Sequence, residues 1–299
     1  MKAVQLFSTK IGIESLPMLV RHNLLTGANT LINRRSGEIL NFSAYTIDQF
    51  TITNDGRYAS IIDDSDPTDS TRIMMQTIGS DSYQAIDIPP TGYIQRGGSS
   101  MRMTPNGQFV GYHSILRGPG IPETGNTTVA LMRDLVAPQG EIVGYNESGQ
   151  IIESFYTSVS NDGRYAAFIN FNTHRLYLRD RRARTTRLIT NQLFDGGSWH
   201  LRPFISASGR YLTYQITDGS RVSTIIHDLT NGRLGRLERL TLDGSAPYDL
   251  LDQSDIIGIS EDETTVFFTS ASPAWVPNDT NGHYDVFTAP LEKVFERSM

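Results

Sequence analysis

The chain has no cysteine, which excludes disulfides, thiolate metal sites and cysteine nucleophiles. Lysine is almost as scarce. Lys2, Lys10 and Lys293 are the only three, so arginine supplies 23 of the 26 basic residues. Arginine brings a planar donor fork suited to carboxylates and phosphates. The formal net charge is −6, so no overall positive field draws the protein to nucleic acid or to an anionic membrane. No run of about 18 apolar residues exists, and no membrane-spanning helix is expected. The opening segment, Met1 to Lys10, lacks the apolar core of a secretory signal. If Met1 is the natural start, the expected location is the cytoplasm; if a leader precedes it, the periplasm or the exterior. Catalytic signatures are missing too: there is no G-x-S-x-G elbow, no H-E-x-x-H and no phosphate loop. The six histidines, His22, His113, His174, His200, His227 and His283, show no metal-ligand spacing.

What the chain does have is one short phrase, five times over. The copies are Thr53-Asn54-Asp55-Gly56-Arg57-Tyr58, Thr104-Pro105-Asn106-Gly107-Gln108-Phe109, Ser160-Asn161-Asp162-Gly163-Arg164-Tyr165, Ser206-Ala207-Ser208-Gly209-Arg210-Tyr211 and the degenerate Ser260-Glu261-Asp262-Glu263-Thr264-Thr265. Recurrence about every 50 residues marks an array of one supersecondary unit. Around each copy short alternating runs separated by Gly, Asn and Asp read as strands. The third unit shows the pattern: Thr157 to Ser160, Tyr165 to Ile169, Leu176 to Asp180 and Thr185 to Ile189 make four strands, the size of a propeller blade. Residues 1–50 lack the phrase but keep strand-like runs and read as a sixth, degenerate blade. The fold expected is therefore a single all-β, six-bladed β-propeller of four-stranded antiparallel blades over residues 1–299. After Asp285 to Thr288 no fourth strand is evident, whereas Val4 to Ser8 reads as a fourth strand with no preceding three. The N-terminal strand is expected to complete the last blade, since ring closure removes exposed edges. Deleting residues 1–10 should then lower the melting temperature.

The phrase Ser160 to Phe168, and the stretch from Ala271 to Phe287 with Asp279-Thr280-Asn281-Gly282 and Asp285-Val286-Phe287, resemble the TolB-like, WD40-like β-propeller repeats of bacterial proteins. Thr185 to Phe204 fits the outer strand and connector of that repeat. The likeness covers about five blades and departs at residues 1–50, at Glu263 and in most loops. It implies the fold and, loosely, a binding or protein-interaction role, since fold alone does not specify activity.

The Asp/Asn-Gly pairs are explained by turn chemistry. Asp279, Asn281 and Asp285 carry alternate oxygens like part of a calcium loop. Glu292 falls two positions too late for the closing carboxylate, so a self-bonded turn is the competing reading. No cofactor is required, and calcium is the cation such a loop would take. Asp63, Asp64, Asp66 and Asp69 occupy the matching loop of an earlier blade. Arg175, Arg179, Arg181, Arg182, Arg184 and Arg187 form the densest basic segment, which suits phosphate or an acidic partner or else a solvated outer hairpin. The connectors between blades hold the main binding candidates: Trp199, His200 and Arg202; Tyr93 and Arg96; Tyr145 and Tyr156; Tyr248 and Asp252. Trp and Arg are enriched at binding hot spots, while Trp199 packed between blades is the structural alternative. The reading is a non-catalytic propeller engaging a protein or peptide through these loops. Two alternatives stand beside it: a carbohydrate-binding propeller, and a metal-dependent hydrolase or lyase with its site in the central channel. Nucleic acid is disfavoured.

Overall fold

The computed structural model describes residues 2–11, 14–23, 26–32, 34–35, 38–39, 50–63, 71–80, 82–121, 127–173, 175–191, 202–217, 222–237, 255–270, 275 and 283–296. The fold is an all-β β-propeller of four-stranded antiparallel sheets. The N-terminal part holds β1 (Lys2–Ile11), β2 (Glu14–Asn23) and β3 (Asn29–Leu31) in one sheet, and β4 (Arg34–Arg35) with β5 (Glu38–Ile39) in a two-stranded ribbon. The first blade is β6 (Thr51–Ile52), β7 (Tyr58–Asp63), β8 (Arg72–Thr77) and β9 (Tyr83–Ala85). The second is β10 (Ile94–Met103), β11 (Phe109–Arg117), β12 (Thr127–Asp134) and β13 (Glu141–Ile142). The third is β14 (Phe155–Val159), β15 (Tyr165–Asn170), β16 (Arg175–Asp180) and β17 (Thr185–Thr190). The fourth is β18 (Phe204–Ile205), β19 (Tyr211–Thr217), β20 (Val222–Asp228) and β21 (Leu234–Arg236). The fifth has three strands, β22 (Asp255–Ile259), β23 (Thr265–Ser270) and β24 (Asp285–Pro290), and runs into a helix, α1 (Leu291–Glu296).

Two expectations are corrected. Among the described residues there are five blades, not six. The N-terminal strand does not complete the last one: β1 pairs along its whole length with β2, from Lys2 opposite Asn23 to Ile11 opposite Glu14. Alternation in Val4 to Ser8 specifies a strand but not its partner, and a hairpin partner adjacent in sequence costs far less loop-closure entropy than one at the other end of the chain.

The repeated phrase forms the turn between the first and second strand of every blade. Its first residue donates its N–H to the sixth residue's carbonyl, at 2.8–3.1 Å in all five copies. The Ser or Thr hydroxyl accepts the sixth residue's N–H, as in Tyr58, Phe109, Tyr165, Tyr211 and Thr265. It donates in turn to the Asp or Asn at position three: Asp55, Asn106, Asp162 and Asp262. Position four needs positive φ, and glycine supplies it at least cost. At Gly107 (φ 73°) and Gly209 (φ 79°) the neighbour also forbids a side chain, since a Cβ would lie 2.6 Å from Thr53 Cγ2 and 2.7 Å from Tyr165 Cδ2 respectively.

By contact the chain divides into two compact units: residues 1–144 with 151–157, and residues 145–150 with 158–299. In the first, the second strands β7 and β11 are buried on both faces, as central strands covered on either side must be. Ile61, Ile73, Tyr112, Leu116 and Leu131 fill its core, and Asn54 donates its N–H to the Pro105 carbonyl at 2.8 Å, tying one repeat turn to the next. In the second, Asn161 makes the same bond to Ala207. Its core joins Tyr211, Ile226, Phe268 and Trp275 to Leu291, Val294 and Phe295 of α1.

Candidate functional site

Each blade's repeat turn occupies one end, so the connectors entering its first strand lie at the other. In the second blade that entrance is Tyr93, Ile94 and Arg96. The Tyr93 hydroxyl donates to the Pro119 carbonyl at 2.8 Å, which anchors the ring against the β11 end of the same hairpin. Ile94, opposite Arg117 in the register, is 67% exposed, and Arg96 is exposed as well. Arg202 is half-buried beside the first strand of the fourth blade. Tyr145 and Tyr156 have structural roles. Tyr145 lies 4.8 Å beneath the Arg179 guanidinium, and Tyr156 packs edge-on to His113 at 5.7 Å. Trp199, His200, Tyr248 and Asp252 lie outside the described residues, as do Asp279, Asn281, Asp64, Asp66 and Asp69. Asp285 opens β24, and Asp63 is buried at the end of β7 opposite Arg72. Among the described residues no three His, Asp or Glu side chains gather as a metal cluster.

The structure adds a group that the sequence reading missed. Strand β10 carries two register shifts, at Arg96/Gly98 and Ser99/Arg102. Gly97 sits at φ 62° and Ser100 at φ 48°. Such bulges re-aim side chains and recur beside functional sites. Here they bring Ser99 Oγ to 2.7 Å from Nε2 of the buried His113. The Tyr156 N–H donates to the other ring nitrogen, Nδ1, at 3.3 Å, from a residue itself at φ 55°. Phe155 packs edge-on against the His113 ring at 5.1 Å. An imidazole accepting at Nδ1 carries its proton on Nε2, so His113 donates to Ser99. That is the wrong tautomer to deprotonate a serine nucleophile. The signal was present in the sequence: Gly97-Gly98 inside a strand marks a bulge.

Below this entrance lies a buried charge. The Asp87 carboxylate meets Arg72 Nε at 3.0 and 3.1 Å and accepts from Gln95 Nε2 at 3.2 Å. Its side chain is fully buried, and burial raises its pKa against the opposing pull of Arg72. Gln95 Oε1 is buried without a hydrogen-bond partner. Tyr112, buried nearby, is pushed up by burial and by the Asp87 charge. In the second unit burial lowers the pKa of His227, with the Arg187 charge adding to the effect, and its Nδ1 meets the Tyr214 hydroxyl at 3.3 Å.

No protein-family model matches the chain, and no curated protein matches it in sequence. Solved structures do. A structure described as a TolB from Agrobacterium tumefaciens is 14% identical, with a TM-score of 0.51 over 83% of this chain and 79% of that one. TolB from Acinetobacter baumannii is also 14% identical, at a TM-score of 0.47 over 87% of this chain and 58% of the other. A prolyl endopeptidase is 12% identical at a TM-score of 0.50; 96% of this chain spans 50% of that protein. At these identities the likeness is one of fold, and the fold of this chain is that of the TolB-like β-propellers.

Proposed function

We propose that the chain is a non-catalytic interaction propeller that engages a protein or peptide partner at the end of its blades opposite the repeat turns. The observation that carries this reading is the entrance to β10. There an apolar side chain, Ile94, stands 67% exposed between Tyr93 and the exposed Arg96. An aromatic, an aliphatic and an arginine side by side are the residue types that dominate binding energy. At the repeat-turn end, by contrast, the Ser or Thr of position one bonds the Asp or Asn of position three within the turn in four of the five copies. The one serine–histidine pair described, Ser99 with His113, has its proton on the nitrogen facing the serine, which supports a structural role for it. A photo-crosslinking residue placed at Ile94 tests the proposal against the same residue at Val136, which is 86% exposed in the β12–β13 turn at the opposite end. Capture of one discrete protein from Ile94 only, lost on adding Arg96→Glu, is expected. Equal capture from both positions, or none from either, overturns it.

A further inference from the structure

We infer that the outer edge of β17 accepts an extended acidic peptide as an added strand. The other fourth strands described are short: β9 and β21 have three residues and β13 has two. Strand β17 has six and is the last in its sheet, so it offers about 20 Å of edge at a rise of about 3.3 Å per residue. Its outward-facing groups follow from one contact. The Leu188 N–H reaches Glu147 Oε1 at 3.4 Å, so Leu188 points away from β16. In an antiparallel ladder every second residue faces the same way, which sends Thr186 outward too. The Thr186 N–H has no partner among the described residues.

Charge tells what would dock there. Arg184 lies in the turn before β17, Arg187 within it, and Arg175 at the start of β16, level with the far end of β17. All three are exposed, and none has a carboxylate among the described residues. They therefore spread positive charge along the whole edge. Nearby arginines are already occupied: Arg182 pairs with Asp162 at 3.5 Å, and Arg179 donates to the Arg184 carbonyl at 3.0 Å while stacking on Tyr145. Glu147, from the connector turn at 146–149, already places a carboxylate on an edge amide of this strand. It marks where an acidic group settles and must be displaced by the incoming strand. Main-chain hydrogen bonds would supply affinity, and the arginines would select an acidic sequence.

The test uses the full chain and a fluorescent six-residue peptide alternating glutamate and valine, with a lysine–valine peptide as control, read by anisotropy. The acidic peptide should bind and the basic one should not, with affinity falling as salt screens the arginines. Thr186→Pro removes the outward donor without costing a ladder bond and should weaken binding by about tenfold or more. Arg184→Glu with Arg187→Glu should do likewise. Glu147→Ala should tighten binding by at least about threefold, because it frees the Leu188 amide. If Thr186→Pro perturbs the fold, a peptide N-methylated at alternate residues reads the same main-chain bonds from the ligand side. No binding by about 1 mM, where a surviving strand contact would still register, overturns the inference. So does binding indifferent to the edge and arginine changes.

Discussion

Ser208 stands where the other four repeats carry Asp or Asn, and Glu263 stands where they carry Gly. The two departures answer each other. Glu263 holds φ 55°, a conformation that costs a side-chain-bearing residue about 1–2 kcal/mol. From there its carboxylate accepts from Ser206 Oγ at 2.8 Å and from Ser208 Oγ. It thus returns to the fourth repeat the carboxylate that Ser208 lacks. The pair should behave as one unit in a urea-denaturation cycle. Ser208→Asp alone sets two carboxylates together and should lose about 1 kcal/mol. Glu263→Gly alone relieves the backbone but strips both hydroxyls of their acceptor and should be near neutral. The double variant restores the common phrase and should exceed the sum of the singles by about 1 kcal/mol or more. Additive values would remove the compensation. A second residue-scale link joins Arg187 to His227. Arg187→Gln should raise the His227 pKa, measurable by NMR titration of the ring, since the cation now opposes a second positive charge; an unmoved titration would sink that coupling.

At the scale of elements, the phrase was legible because its first, third, fourth and sixth residues each have a task in the turn, and the strands beside it could be placed from it. The helix α1 was not read, although Leu291, Val294 and Phe295 show the i, i+3, i+4 spacing of one buried face. Six residues are too few to be stable as a helix alone, so tertiary packing must form it. The Phe295 carbonyl accepts from Arg233 Nη2 at 3.1 Å, and the ring lies 5.4 Å below that guanidinium. Gly235 leaves room for Val294, whose Cγ1 would be 2.8 Å from any Cβ there. Phe295→Ala should cost the second unit about 3 kcal/mol in a urea melt and loosen the environment of Trp275, which shares its cluster. A melt unchanged to within a few tenths of a kcal/mol would mean that the helix is ornamental. The pairing of β1 was misread for the opposite reason: its pattern is real, but alternation does not name a partner. The bulges of β10 were foreshadowed by Gly97-Gly98, yet the meeting of Ser99 with His113 depends on register, which pattern alone does not reveal.

For the whole molecule, the response to pH follows from carboxylates pulled in opposite directions. In Asp180 the Arg164 hydrogen bond leads in lowering the pKa, and in Asp262 the Ser260 hydroxyl does. Burial pushes Asp228 up, but Arg210 at 2.8 Å and Thr230 outweigh it and hold the group at about 2. Groups lowered on folding add stability above their unfolded values and lose it as pH falls through the folded ones. These three therefore predict a falling melting temperature from about pH 4 downward, the unfolded carboxylate range. Asp87 has the reverse sign. Its folded pKa is raised, so the native state holds the proton longer than the unfolded chain does. Stability is then lost as pH rises from the ordinary carboxylate range through the raised value, and stays lower above it. Once protonated, Asp87 can donate to Gln95 Oε1 after that amide turns over, which satisfies a buried acceptor left without a partner. Asp87→Asn makes that donor permanent. The variant should melt higher than the parent near neutral pH, and the gap should close as the pH drops toward 4. Two curves running parallel from pH 4 to 7 would show that Asp87 titrates in the fold as it does in the unfolded chain.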